Sequence, residues 1–431
     1  MRLRPSKFDY RTRRKDSPVR IVIYLAFILA GVYVLWGMRQ GSFSPIGVPT
    51  PTATRSALSF AEEAEAAFSA GRLTDAVLAY QQAHQAEPNN VDYLINLTRI
   101  QTYAGDALGA ADAARTAIVI APESSMAYAV LAFALGSSGN YEEGETAAVK
   151  AIQLDGNNAL AHAYYAEILT ETLNWTRASE SAELALQLNA SLMDVHRVYG
   201  KYLEYVGAYE DAILQYKQAA TINPNLPSLQ LSLGLNYRAL EEYEVSLEYF
   251  RRAQALDPLK IEPYLYISRT YFQTGDYQRA TQWLEDATQV AIQINADSKV
   301  LADIFGRLGL IKHRSLDYEG AIEDLRCAID GCQKNIDGKI VNIEGLKLAD
   351  NNFQILTYYY TYTSVLAAYS PATPQLCATV QPLLPQIVLN SRNDSVILTI
   401  TTDNYNTCIQ TQNGVSPEST PDPNSTPTPT P

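Results

Sequence analysis

Four cysteines and four histidines are the side chains of this 431-residue chain best suited to metal binding, redox work or nucleophilic attack. Cys327, Cys332, Cys377 and Cys408 all lie in the C-terminal third, and their spacings fit no common zinc pattern. His84, His162, His196 and His313 are far apart in sequence. The expected chemistry of the thiols is therefore disulfide formation, with three pairings open to four cysteines. The chain has no G-x-S-x-G, no P-loop, no H-E-x-x-H and no dinucleotide fingerprint. Its acid pairs, such as Glu142-Glu143 and Glu241-Glu242, fall at expected helix starts, where carboxylates favour the helix dipole. Neither catalysis nor a metal or cofactor is expected. What is left is non-covalent recognition by charged and aromatic side chains, and that depends on the elements that hold them.

Those elements repeat. Tyr141, Trp175, Tyr209, Tyr243 and Tyr277 follow one another at steps of 34 residues. Ala76, Ala110, Gly144, Ala178, Ala212, Ser246 and Ala280 keep the same step, as do Ala83, Ala117, Ala151, Ala185, Ala219, Ala253 and Ala287. Each unit reads as two helices. In Met193–Leu226 the first presents His196, Tyr199, Gly200 and Leu203 on one face, and Gly207 ends it. The second presents Tyr209, Ala212, Tyr216 and Ala219, and Pro224 stops it from running on. Small residues let antiparallel helices approach closely, and the 34-step aromatics are expected to fill the wedge between units. One pair cannot bury its apolar face alone, so stability must come from stacking.

The pattern resembles the tetratricopeptide repeat family, as in GAYEDAILQYKQAATINPN (207–225) and TGDYQRATQWLEDA (274–287). The resemblance predicts an all-α solenoid of about eight helix-turn-helix repeats over residues 57–335, starting at Ala57, Val91, Ser125, Ala159, Met193, Pro227, Ile261 and near Ala302. About seven extra residues enter after Ala287, expected to lengthen the second helix of repeat seven. Leu173 and Glu241 stand where other repeats have the turn glycine. The family implies a concave groove lined by first helices that receives a protein or peptide ligand. Counted from the repeat starts, the groove positions hold Arg99, Arg197, Lys201, Arg238 and Arg269, with Arg307 and Arg314 from repeat eight. Tyr164, Tyr205, Tyr266 and Phe272 add aromatic surface, and the acids at these places in repeats five to eight are Asp194, Glu204, Glu262 and Asp303. A basic, aromatic groove in an acidic chain points to an acidic segment or a C-terminal carboxylate as ligand. The alternative is that these charges pair along the helix surfaces. The carboxylate clamp of chaperone-binding relatives is not carried over, because only Asn96 fits it and Ala61, Glu65 and Met126 do not.

The flanks place the solenoid. Residues 1–20 hold eight Lys/Arg and two Asp, so residues 21–431 carry −19 against −13 for the whole chain, which argues against a nucleic-acid partner. Ile21 to Met38 is an uncharged run of 18 residues, long enough for a transmembrane helix and without the small-x-small site of a cleaved signal. The positive-inside rule then puts the basic arm in the cytoplasm and the repeats outside, on a bacterial cytoplasmic membrane. Residues 39–56 read as a Pro/Thr/Ser linker and 413–431 as a disordered Pro/Thr tail.

Between them, residues 336–412 are expected to form a helical cap, preceded by a short hairpin around Asp337-Gly338 in Asn335–Leu348. Its helices are expected over 350–369, 374–390 and 394–410, with the tyrosines around Tyr358 as core. An antiparallel arrangement of the last two would bring Cys377 to Cys408, leaving Cys327 to Cys332. The expected function is a membrane-tethered scaffold for an envelope partner, the alternative being an accessory or regulatory subunit of an envelope-biogenesis or secretion enzyme.

Overall fold

The structure is a computed structural model describing residues 18–39, 55–348, 352–370, 374–392 and 394–412. The basic arm up to residue 17, most of the linker (40–54) and the tail (413–431) lie outside the described residues. The chain divides into two units, residues 1–56 and 57–431.

In the first unit Pro18–Arg39 is one helix of 22 residues. Its described side chains are exposed, including Phe27, Leu29, Tyr24 and Trp36. Over the described residues no helix is long and apolar enough to cross a membrane, and the side chains at 20, 34, 35 and 37–39 fall outside that description.

The second unit is a solenoid of helix pairs. The first helices are Ala57–Ser69, Val91–Ala104, Ser125–Ser137, Ala159–Glu171, Met193–Tyr205, Pro227–Ala239, Glu262–Gln273 and Ser298–Arg314. Their partners are Leu73–Ala86, Ala107–Ile120, Tyr141–Leu154, Trp175–Leu188, Tyr209–Ile222, Tyr243–Leu256, Tyr277–Gln293 and Tyr318–Asp330. First helices of repeats two to six also touch one another directly, which puts them on the shorter, concave side. The 34-step small residues explain the close pairing: every alanine of both series is fully buried. Gly234 shows how tight the fit is, since a Cβ there would lie 2.5 Å from the Phe250 ring.

Each pair turns through one residue with positive φ, at Gly71, Gly105, Gly139, Gly207 and Gly275 in five repeats. Leu173, Glu241 and Leu316 take the same conformation at φ 63°, 62° and 66°. A side chain there costs roughly 1–2 kcal/mol, so stacking on both neighbours, not local preference, holds those turns.

Three expectations are corrected. The 34-step aromatics are not the wedge fillers: Trp175 is 37% exposed and Tyr141, Tyr209, Tyr243 and Tyr277 are only partly buried. Deep filling comes from Tyr164, Tyr216 and Phe250 instead. The extra residues of repeat seven are shared across the junction, because Tyr277–Gln293 and Ser298–Arg314 both have 17 residues where Tyr243–Leu256 has 14 and Pro227–Ala239 has 13. Finally, the helix expected over 374–390 is broken into a turn at Pro374–Leu376 and two short helices, Cys377–Val380 and Leu384–Asn390. Pro382 and Pro385, which lack an N–H, account for the break.

Residue 336 falls within a hairpin that follows repeat eight. Strands Cys332–Ile336 and Lys339–Ile343 form an antiparallel hairpin closed by Asp337-Gly338, both at positive φ as a two-residue hairpin turn requires. Helix Phe353–Tyr369 follows and packs on both helices of repeat eight, with Tyr358, Tyr359 and Tyr362 buried. Helix Ser395–Gln412 packs against it in turn. Cys377 is bridged to Cys408 and Cys327 to Cys332.

Candidate functional site

The concave face divides into two parts, one with its charges paired and one with cations left unpaired. In repeats one to five an aromatic column runs through Phe68, Tyr103, Phe133 and Tyr164, with successive ring centroids 6.0, 5.2 and 4.5 Å apart. Arg99 lies over Phe68 and Arg197 over Phe133, at 5.2 and 5.0 Å. Between these cations sits Asp194, 2% exposed. It accepts from Arg99 Nε at 3.1 Å, from Tyr164 Oη at 2.9 Å and from Tyr103 Oη. Arg197 gives Nε to Tyr103 Oη at 3.0 Å and grips both oxygens of Glu167 at 2.9 and 2.6 Å. Lys201 bridges Glu167 at 3.1 Å and Glu171 at 2.6 Å, and Tyr205 Oη donates to Glu171 at 3.1 Å.

Three cations thus face three carboxylates, and the charges are used up internally. Burial pushes the Asp194 carboxyl up, but the Arg99 and Arg197 cations outweigh it and hold it below the usual carboxylate range. Glu167 follows the same logic: burial raises it, and Arg197 and Lys201 hold it far down. The face also closes on itself. Asn223 and Asn225 donate to the carbonyls of Phe68 and Ser69 at 3.4 and 2.8 Å, joining the repeat-one turn to the junction of repeats five and six.

Repeats six to eight differ. Arg238 lies over the Tyr266 ring at 5.4 Å, and its Nη1 is buried with no hydrogen-bond partner among the described residues. Burial, and then the like charges of Arg269 and Arg307 beside it, bring its pKa down to about 10. No carboxylate pairs with Arg238 or Arg269 among the described residues, and Arg269 is exposed. Arg307 gives Nε to Asp303 at 2.8 Å, and Asp303 also accepts from Tyr358 Oη at 2.6 Å. Between helices Glu262–Gln273, Ser298–Arg314 and Phe353–Tyr369 lies a cavity of about 190 Å³, lined on its apolar side by Leu265, Phe272, Leu310 and Ile311. Ser268, Arg269, Arg307, Gln354 and Thr357 complete it. The arrangement suits an anion.

The sequence-derived groove residues therefore separate. Arg99, Tyr164, Arg197, Lys201 and Tyr205 belong to the self-paired network, buried at Tyr164 and Arg197, partly buried at Arg99 and Lys201 and exposed at Tyr205. Arg238, Tyr266, Arg269 and Phe272 remain on the open part. Glu167 and Glu171 were missed, yet the repeat carried the signal: each lies 34 residues before a partner, Lys201 or Tyr205. Gln354 and Thr357 lie beyond the periodic part, where spacing says nothing.

Residues 231–293 match the family model for the tetratricopeptide repeat. That stretch is tetratricopeptide repeat, and the same 34-residue step runs through the helix pairs on either side of it. Among solved structures, the Cut9–Hcn1 heterotetramer of APC/C is 14% identical at a TM-score of 0.52, covering 62% of this chain and 52% of that one. PilF of Pseudomonas aeruginosa is 21% identical at 0.40, covering 47% and 88%. YrrB, described as a TPR protein with an unusual peptide-binding site, is 20% identical at 0.32, covering 42% and 93%. A comparison with curated proteins finds no match. On this solenoid the first helices of repeats six and seven carry the unpaired Arg238 and Arg269, whereas Arg99, Arg197 and Lys201 of repeats two and five are paired.

Proposed function

We propose that this chain is a membrane-tethered scaffold that holds an acidic segment of a partner protein along the first helices of repeats six to eight. The observation carrying the reading is the unpaired Arg238–Arg269 cluster in a chain with 46 acidic and 33 basic residues. Cations packed together beneath a groove repel one another, and an anion laid on them offsets that repulsion. Tyr266 and Phe272 offer the flat apolar surface a peptide would cover.

The tether is supported by the run from Ile21 to Met38, uncharged and within one helix. A helix apolar on every side has no stable place in water outside a core, and roughly 20 such residues match a bilayer. The basic arm before it favours a cytoplasmic N-terminus and repeats on the outer face of a bacterial membrane.

One experiment addresses both parts. The full-length chain, with a photoreactive phenylalanine analogue at Phe272 or at Tyr205, is irradiated in cells, and the membranes are washed in alkaline carbonate. The chain should stay with the membrane, and a partner adduct should form from position 272 but not 205. Release by the wash rejects the tether. An adduct confined to position 205 rejects the groove.

A further inference from the structure

The cavity over helix Ser298–Arg314 is lined in a way that a merely acidic segment does not explain. Its lining combines an apolar part, from Leu265, Phe272, Leu310 and Ile311, with the cations Arg269 and Arg307. A Glu or Asp side chain would bring its carboxylate to the arginines and leave the apolar part uncovered. A phosphate would do the same. A C-terminal residue carries an aliphatic side chain and a free carboxylate on one Cα, so it can satisfy both at once. The volume agrees: about 190 Å³ has room for roughly six water-sized groups, close to one terminal residue.

We propose that this cavity is a pocket for the C-terminal residue of a partner chain, an aliphatic side chain on the apolar part of the lining with its α-carboxylate between Arg269 and Arg307. The proposal rests on the groove reading above and specifies which end of the partner arrives at repeat eight. The site is preorganised. Asp303 holds Arg307 by Nε, and Tyr358 Oη in turn holds Asp303. Gly306 lets the cap helix come close enough for this, since a Cβ there would lie 2.5 Å from the Tyr358 ring. That approach also brings Gln354, one turn before Tyr358, to the rim as a neutral donor. The cap is thus part of the binding site as well as the end of the solenoid.

Two fluorescein-labelled pentapeptides ending in Glu-Leu, one with a free C-terminus and one amidated, are titrated into the full-length chain in detergent. The free acid should bind about 10- to 100-fold tighter than the amide, the range for a hydrogen-bonded charge. Arg269→Gln should lower the free acid's affinity more than the amide's and bring the ratio of the two close to one. Because Arg269 is exposed and has no carboxylate partner among the described residues, the variant should melt like the parent, and the melt is checked alongside. Equal affinity of the two peptides overturns the terminal pocket. If that shared affinity falls with salt and with Arg238→Glu, the acidic groove survives without it. If neither peptide binds, both readings fall.

Discussion

Asp194→Ala is expected to destabilise the chain by about 3–5 kcal/mol, the range for breaking one side of a buried ion pair. The carboxylate is 2% exposed and joins Arg99 of repeat two, Tyr164 of repeat four and Arg197's surroundings in repeat five. Removing it leaves two inward-facing cations with fewer counter-charges, and deletes ties between repeats that are not neighbours in the stack. Asp75→Ala is the control. It removes a pair with Arg72 in which both side chains are more than half exposed, and should change stability by less than about 1 kcal/mol. Chemical denaturation of both variants decides the matter, and equal effects would show that the network is not a source of stability.

The network also sets a pH dependence. Asp194 and Glu167 both have folded-state pKa values below their unfolded ones. Their contribution is present in full above the unfolded carboxylate range of about 4. As pH falls from there through the depressed folded values, protonation favours the unfolded chain and the contribution is lost. Stability should therefore be level near neutrality and fall below about pH 4, with a shallower fall in Asp194→Ala.

Loss of the Cys377–Cys408 bridge should be felt in the cap alone. It closes a step of 31 residues, worth about 3–4 kcal/mol on the chain-entropy model. The Cys327–Cys332 bridge closes a step of 5 and is worth about 2 kcal/mol on the same model. Replacing Cys377 and Cys408 by serine should raise hydrogen exchange over 374–412 and leave repeats one to seven protected, because solenoid repeats depend chiefly on their neighbours. Unchanged exchange, or free thiols at both positions in protein from its native compartment, would reject a structural bridge.

Much of this molecule could be read from spacing. The 34-residue step placed the helix pairs, the buried alanines and the turns, even at Leu173 and Glu241, where the residue type argues against the conformation observed. The Asp337-Gly338 hairpin was legible from its turn chemistry. What spacing could not show was pairing across the superhelix. Arg99 and Asp194 are 95 residues apart, and whether they meet depends on how tightly the stack curves, a property of summed small rotations between repeats. Hence Arg99, Arg197 and Lys201 looked equivalent to Arg238 and Arg269 in sequence, although the first three are neutralised. Glu167 and Lys201, one repeat apart, were within reach of sequence reasoning had the acids of repeat four been counted. The broken cap helix at Pro382 and Pro385 was legible too, since both residues are poor helix formers.

The most direct test of the basic groove is the single variant Arg238→Glu, because folding and binding should move apart. A carboxylate at 238 would face Arg269 and Arg307 and replace repulsion by attraction, so stability should hold or rise. Affinity for the crosslinked partner should instead fall by more than about tenfold. The parent's affinity should weaken between low and physiological salt, where the screening length shortens to about 8 Å, and the variant's should weaken less. If Arg238→Glu leaves both affinity and salt dependence as they are in the parent, the basic groove of repeats six to eight is not where the partner binds.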